Sequence, residues 1–119
     1  MADDIEVGRV DDFRAGAFTL VEIKGREYGV IRLPNGEFRT IRNACPHKAA
    51  PICAGIVGGT MLPSEPGELR FAMDGEVVVC PWHGYEFDLN DGRELFVDGP
   101  QKLRLFPTTV RDGAVYVTL

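Results

Sequence analysis

FTLVEIKGREYGVIRL, residues 18–33, holds two runs rich in β-branched and aromatic residues, joined at Lys24 and Gly25. A tight pair of turn residues between two such runs is the sequence signature of a β-hairpin. The same punctuation recurs along the chain: residues 34–36, Asp74 with Gly75, Asp91 with Gly92, and Asp112 with Gly113 all read as turns. Between them EFRTIR (37–42), EVVVC (76–80) and AVYVTL (114–119) read as further strands. In the last run Val115, Val117 and Leu119 share one face while Tyr116 and Thr118 take the other, the two-residue period of a half-buried strand. No stretch carries a helical period. In residues 102–110 Leu103, Leu105 and Pro107 interrupt one another, which places that run at a sheet edge, where a proline costs no ladder hydrogen bond. The expectation is an all-β chain, a β-sandwich or partly open barrel built from the N-terminal and C-terminal thirds. The middle third then forms an inserted lobe, and a sheet drawn from both thirds brings the chain ends together.

With 119 residues the chain suffices for one compact domain, 1–119, and is too short for two. An apolar fraction of 45% with 26% charged residues excludes a disordered polyelectrolyte, so the 14 glycines and 8 prolines are turn material. The net charge of -5 repels phosphate backbones and anionic lipid, which argues against nucleic acid and membrane as partners and favours a basic protein surface. MADDIEVGRV, residues 1–10, has neither the basic region nor the apolar run of a secretory signal, so the expected location is soluble and cytoplasmic. Three cysteines in such a chain suit metal ligation better than a disulfide framework.

The chemistry concentrates in two short segments. The chain has only two histidines, and each closely follows a cysteine: Cys45, Pro46, His47 and then Cys80, Pro81, Trp82, His83. Random placement would produce that coincidence about once in a thousand. Two thiolates and two imidazoles from two loops can serve a tetrahedral zinc ion, although zinc spacing usually pairs Cys with Cys and His with His. They can equally serve a [2Fe-2S] cluster in which two histidines replace two cysteines on one iron.

The two segments, CPHKAAPIC (45–53) and CPWHGYEFDLNDG (80–92), closely resemble those of the Rieske family, above all its stand-alone ferredoxins for ring-hydroxylating oxygenases and the related small subunits of nitrite reductase. GREYGVIRL (25–33) before the first segment and Gly99 with Pro100 after the second share the likeness, which covers most of the chain. The resemblance implies a Rieske-like fold with a cluster-binding lobe, about 43–100, inserted in the base sheet. It also implies one [2Fe-2S] cluster, the thiolates of Cys45 and Cys80 on one iron and the imidazoles of His47 and His83 on the other. Two departures stand out. Ala49 occupies a position where the family commonly has glycine, and the segment 48–79 is longer than usual, with its excess around 58–75 reading as an extra hairpin or loop beside the cluster. Cys53 could tie the two loops by a disulfide, as in Rieske proteins of respiratory cytochrome complexes. Trp82 stands where its partner would be, so Cys53 reads as a small buried hydrophobe. Trp82 itself reads as cover for the cluster.

The function implied is electron transfer, one electron from a flavin-dependent reductase to a terminal oxygenase, by a component that is no enzyme on its own. The sequence has no glycine-rich dinucleotide motif after a strand and no third histidine for a mononuclear iron. A small subunit of an assimilatory nitrite reductase is the nearer alternative, and a zinc-stabilised interaction module the remoter one.

Overall fold

A computed structural model of the chain describes residues 4–46, 51–62, 70–82, 84–95 and 102–119, with the side chains of 60–62 and 70–74 left aside. Among these residues the regular structure is almost wholly strand, with two 3-10 turns at Val10–Asp12 and Ile52–Ala54. The central sheet has four antiparallel strands, β2 (Phe18–Ile23), β3 (Arg26–Arg32), β4 (Phe38–Arg42) and β8 (Leu105–Phe106), in that order. A terminal sheet sets β10 (Ala114–Thr118) between β1 (Asp4–Arg9) and β9 (Thr108–Arg111). A third sheet joins β5 (Ile56–Leu62), β6 (Arg70–Val79) and β7 (Glu86–Asp88). No helix among the described residues is long and apolar enough to cross a membrane.

The hairpins form where the turn chemistry asks for them. Lys24 and Gly25 both have positive φ, 51° and 80°, as a two-residue type I′ turn requires, and Ile23 pairs with Arg26 across it. Asp112 and Gly113 repeat the arrangement at 51° and 77°, closing β9 onto β10 with Arg111 opposite Ala114. Asp74 and Gly75 do not make the turn their composition suggests. Gly75 has φ 83° but lies inside β6, where the ladder against β5 jumps from Gly58 opposite Val77 to Thr60 opposite Ala72. The positive φ serves a bulge instead of a strand end. A Cβ on Gly75 would stand 2.6 Å from Pro34 Cγ, so the bulge presses the third sheet against the turn between β3 and β4. The long segment 58–75 accordingly belongs to the β5–β6 hairpin, with 63–69 outside the described residues.

Alternation along the central strands divides the interior into two cores. Tyr28, Val30, Phe38 and Phe106 pack with Val115 and Val117 of β10, so the terminal sheet covers one face of the central sheet. Ile31, Leu33 and Ile41 point the other way, to Val78 of β6, Phe87 of β7, Ile52, Leu89 and Leu103. The central sheet is the wall between them. Edge-on ring contacts, Phe13 on Phe38 and Tyr28 on Phe106 with centroids 5.5 and 5.1 Å apart, stiffen the first core. The run 102–110 supplies an edge strand to two sheets: β8 ends the central sheet, Pro107 breaks the ladder, and β9 ends the terminal one. The chain ends meet as expected, Asp4 opposite Thr118, with the Thr118 hydroxyl 2.6 Å from Asp4 Oδ1 and Arg111 3.2 Å from Oδ2.

Candidate metal centre

Cys45 and Cys80 enter the second core from two different strands. β4 ends at Arg42 and the chain turns through Asn43 and Ala44, whose N–H donates to Arg42 O at 2.8 Å, to reach Cys45. Cys80 directly follows β6, and its loop closes tightly: the Cys80 N–H donates to Tyr85 O at 2.8 Å and the Gly84 N–H to Cys80 O at 3.0 Å. Gly84 takes φ 73°, a conformation that side chains resist, which is why this loop needs glycine after its histidine. The two thiols are only 3% and 2% exposed, belong to one hydrophobic cluster and form no disulfide. His47 and His83 lie outside the described residues, as do Lys48 and Ala49. Around the buried Cys80 the loop is open to solvent, with Pro81 and Gly84 exposed, Trp82 57% exposed and Tyr85 37% exposed. Trp82 therefore presents its indole at the surface beside the second cysteine.

The first loop is held by residues that the motif does not include. Asn43 Oδ1 accepts from the Cys53 N–H at 2.8 Å, its Nδ2 donates to Glu27 Oε1, and its own N–H donates to Glu27 O at 3.0 Å. These bonds join the start and the end of CPHKAAPIC and anchor both to β3. Cys53 is half-buried and packs against the second core, close to the small buried hydrophobe that the sequence suggests. Its sulfur occupies the space a side chain would fill at position 29: a Cβ on Gly29 would stand 2.2 Å from Sγ. Burial, and after it the charge of Glu27, pushes the Cys53 thiol up to about 12 from 9.0, so it stays protonated and inert. Asn43, Glu27 and Gly29 are what the sequence reading missed. The one local signal was an asparagine, a residue that binds backbone readily, two places before the first cysteine.

The second segment is ordered by its own turn. Asp88 Oδ1 accepts from the Asn90 N–H at 2.8 Å, the Gly92 N–H donates to Asp88 O at 2.7 Å, and the Asp88 N–H donates to Arg93 O at 2.8 Å. Phe87 is fully buried beneath it. A Cβ on Gly92 would meet Leu103 O at 2.2 Å, so this glycine permits the close approach of the segment that leads to β8.

Two buried thiols from two loops, neither spent in a disulfide, fit the thiolate half of a mixed Cys and His donor set. Comparison with known proteins identifies the domain. The family model of the Rieske [2Fe-2S] domain matches residues 3–107. The ferredoxin component of the p-cumate 2,3-dioxygenase system of Pseudomonas putida is 28% identical over 117 residues, 98% of this chain and 86% of that protein. A structure from Mycobacterium tuberculosis, assigned as an NADH-dependent nitrite reductase small subunit, superposes with a TM-score of 0.75 at 22% identity, covering 100% of this chain and 96% of that one. A chain of the complex of reduced oxygenase and oxidised ferredoxin in carbazole 1,9a-dioxygenase gives 0.72 at 24% identity, covering 95% and 99%. The two structural likenesses speak for the fold, and the family model for the domain. The chain belongs to the Rieske [2Fe-2S] domain family, which implies one [2Fe-2S] cluster.

Proposed function

We propose that this chain is a soluble, cytoplasmic electron carrier that takes one electron from a flavin-dependent reductase and delivers it to a terminal oxygenase. Cys45 and Cys80 hold one iron and His47 and His83 the other, in a lobe of about residues 43–100 within a single unit, 1–119. The observation that carries the reading is the pair of buried thiols, 3% and 2% exposed, each heading a motif with a histidine two or three places on, in a chain of the Rieske [2Fe-2S] domain family. Kinship with a ferredoxin component over 98% of the chain supports the choice of partners.

When bound, the cluster supplies reversible one-electron chemistry. The chain's own contribution is to shape its surroundings. Packing among Ile52, Val78 and Phe87 keeps water from the thiolates, and the hydrogen bonds across residues 80–85 hold the second loop in place. Exposed Trp82 and Tyr85 give that loop a rim that is partly apolar, the composition of a protein contact. A carrier needs no substrate pocket beside its redox centre.

The test is anaerobic purification followed by metal analysis and EPR. Iron and acid-labile sulfide in equal amounts, a Rieske-type signal on reduction, and reoxidation of the reduced protein by a terminal oxygenase support the reading. Stoichiometric zinc without sulfide overturns the ligand assignment. A cluster-loaded protein that passes electrons only within a nitrite reductase overturns the choice of partner.

A further inference from the structure

On the face of the central sheet turned away from the cysteines lies a cleft of about 260 Å³. Its charged lining is Lys24 and Arg26 at the β2–β3 turn, Arg42 at the end of β4, and Arg104 just before β8. Its apolar walls are Tyr28 and Phe106, 5% and 9% exposed and in edge-on contact, with Leu119 beside them. No carboxylate side chain lines it. Four of the 13 basic residues thus converge on one concavity in a chain whose net charge is -5, and the local field opposes that of the whole molecule.

For the arginines the grouping is not a by-product of ion pairing. Neither Arg26 nor Arg42 has an ion pair among the described residues, whereas Arg39 and Arg111 elsewhere on the surface are matched with Glu37 at 2.7 Å and Asp4 at 3.2 Å. Arg104 lies over the Phe106 ring at 4.9 Å, which fixes its guanidinium at the rim while its donors remain available. Like charges brought together in a partly apolar concavity repel, and an anion relieves the repulsion. Guanidinium groups bind carboxylates and phosphoryl groups through paired hydrogen bonds, and buried aromatic walls suit a small apolar body attached to the anionic head.

We infer that this cleft is a binding site for a small organic anion, one carboxylate or phosphoryl group on a compact apolar body, held by Arg26, Arg42 and Arg104 against Tyr28 and Phe106. The site lies across the central sheet from the cluster loops, so its ligand neither touches the cluster nor competes with a redox partner docking at Trp82. An acidic protein segment would suit a flat basic patch better than a concavity with aromatic walls.

The test titrates the cluster-loaded protein with benzoate, phenyl phosphate and inorganic phosphate at constant ionic strength, by calorimetry and by thermal unfolding. Saturable binding with a raised unfolding temperature is expected. Preference for benzoate assigns a carboxylate ligand and preference for phenyl phosphate a phosphoryl one, whereas inorganic phosphate binding as tightly as either overturns the apolar body. In Arg42→Gln/Arg104→Gln the affinity should fall about tenfold or more, as expected for losing charge-assisted hydrogen bonds. Arg14→Gln/Lys102→Gln, both exposed and outside the cleft, makes the same two-charge change and should bind normally. An unaltered visible spectrum in each variant confirms the fold, and Arg42→Lys/Arg104→Lys should restore part of the affinity. The inference is overturned if no probe binds, if chloride at equal concentration has the same effect, if the double Gln variant binds as well as the parent, or if only an oligoglutamate peptide binds.

Discussion

The two cores that share the central sheet are built in opposite ways. The one under the terminal sheet takes nearly all its members from regular strands, Tyr28 and Val30 from β3, Phe38 from β4, Val115 and Val117 from β10. The one under the third sheet takes Cys45, Ile52, Cys80, Leu89 and Leu103 from between strands. Strand alternation suffices to build a stable interior, whereas bringing two thiols into one cluster takes loops, and loops need staples. The difference predicts that damage to the first core registers as lost stability, and damage to the second as lost cofactor.

The sharpest test of that division is Cys80→Ser against Val115→Ala. With Cys80 as the proposed iron ligand, the serine variant should purify colourless, with iron content near zero by metal analysis, because a neutral hydroxyl replaces a thiolate. The alanine variant should keep its iron while losing about 1–3 kcal/mol in denaturant unfolding, the cost of removing buried methyl groups. Full iron content in Cys80→Ser would break the comparison.

Gly29→Ala probes the wall between the cores. The added Cβ would fall 2.2 Å from Cys53 Sγ and 2.9 Å from Phe18 Cδ1, an overlap that should cost about 1–3 kcal/mol. Removing the sulfur in Gly29→Ala/Cys53→Ala should return much of the loss, and a double-mutant cycle measures how much. Strict additivity would mean that the clash is relieved by backbone movement and not by the thiol.

The two asparagines near the cluster segments sharpen the contrast further. Asn43 ties residues ten apart across the first loop, while Asn90 bonds to Asp88, two residues away, and to Glu76 in an exposed turn. Asn43→Ala leaves a part-buried N–H unmatched and should cost about 1–2 kcal/mol, with faster loss of iron to a chelator. Asn90→Ala should cost under about 0.5 kcal/mol and leave the chelation rate unchanged.

These residues also mark where sequence reading reaches its limit. The hairpin of β2 and β3 was legible because its turn type demands particular residues and its strands alternate. The two cysteines stood out because each has a histidine two or three places on, a local pattern. Three strands were not. DIEVGR in β1 offers only Ile5 and Val7 to the interior, IVGGTML in β5 carries two glycines, and EFD in β7 is too short to show a period. Asp74 and Gly75 misled because a bulge and a hairpin turn ask for the same positive φ, and only the pairing partner tells them apart. The clamp of Asn43 on Glu27 spans 16 residues, and the void at Gly29 is filled from ten places beyond Asn43, contacts that have no local signature.

The smallest effect concerns Cys53, which packs against the second core and closes the first segment without being one of its expected ligands. Its thiol is pushed up to about 12 by burial and then by Glu27, from 9.0 for an unperturbed group, so the folded chain holds this proton more tightly than the unfolded one. A pKa raised on folding contributes stability that is complete below pH 9, declines as pH rises above it and is gone beyond about 12. At neutral pH the titration therefore changes nothing. Between pH 9 and 10.5 the stability advantage of the parent over Cys53→Ala should shrink, by at most about 1.4 kcal/mol per pH unit, while below pH 9 it should be flat. Taking the difference between the two proteins removes the alkaline titration of tyrosines and lysines common to both. Alkylation offers a second reading: at pH 8 a thiol held near 12 should react with iodoacetamide about a thousandfold more slowly than a free cysteine, followed at Cys53 by peptide mapping. Rapid labelling of Cys53 in the folded protein, or an advantage that stays flat to pH 10.5, would show that the sulfur is solvated and that it is the Asn43 clamp, not the seat against Gly29, that holds this end of the first loop.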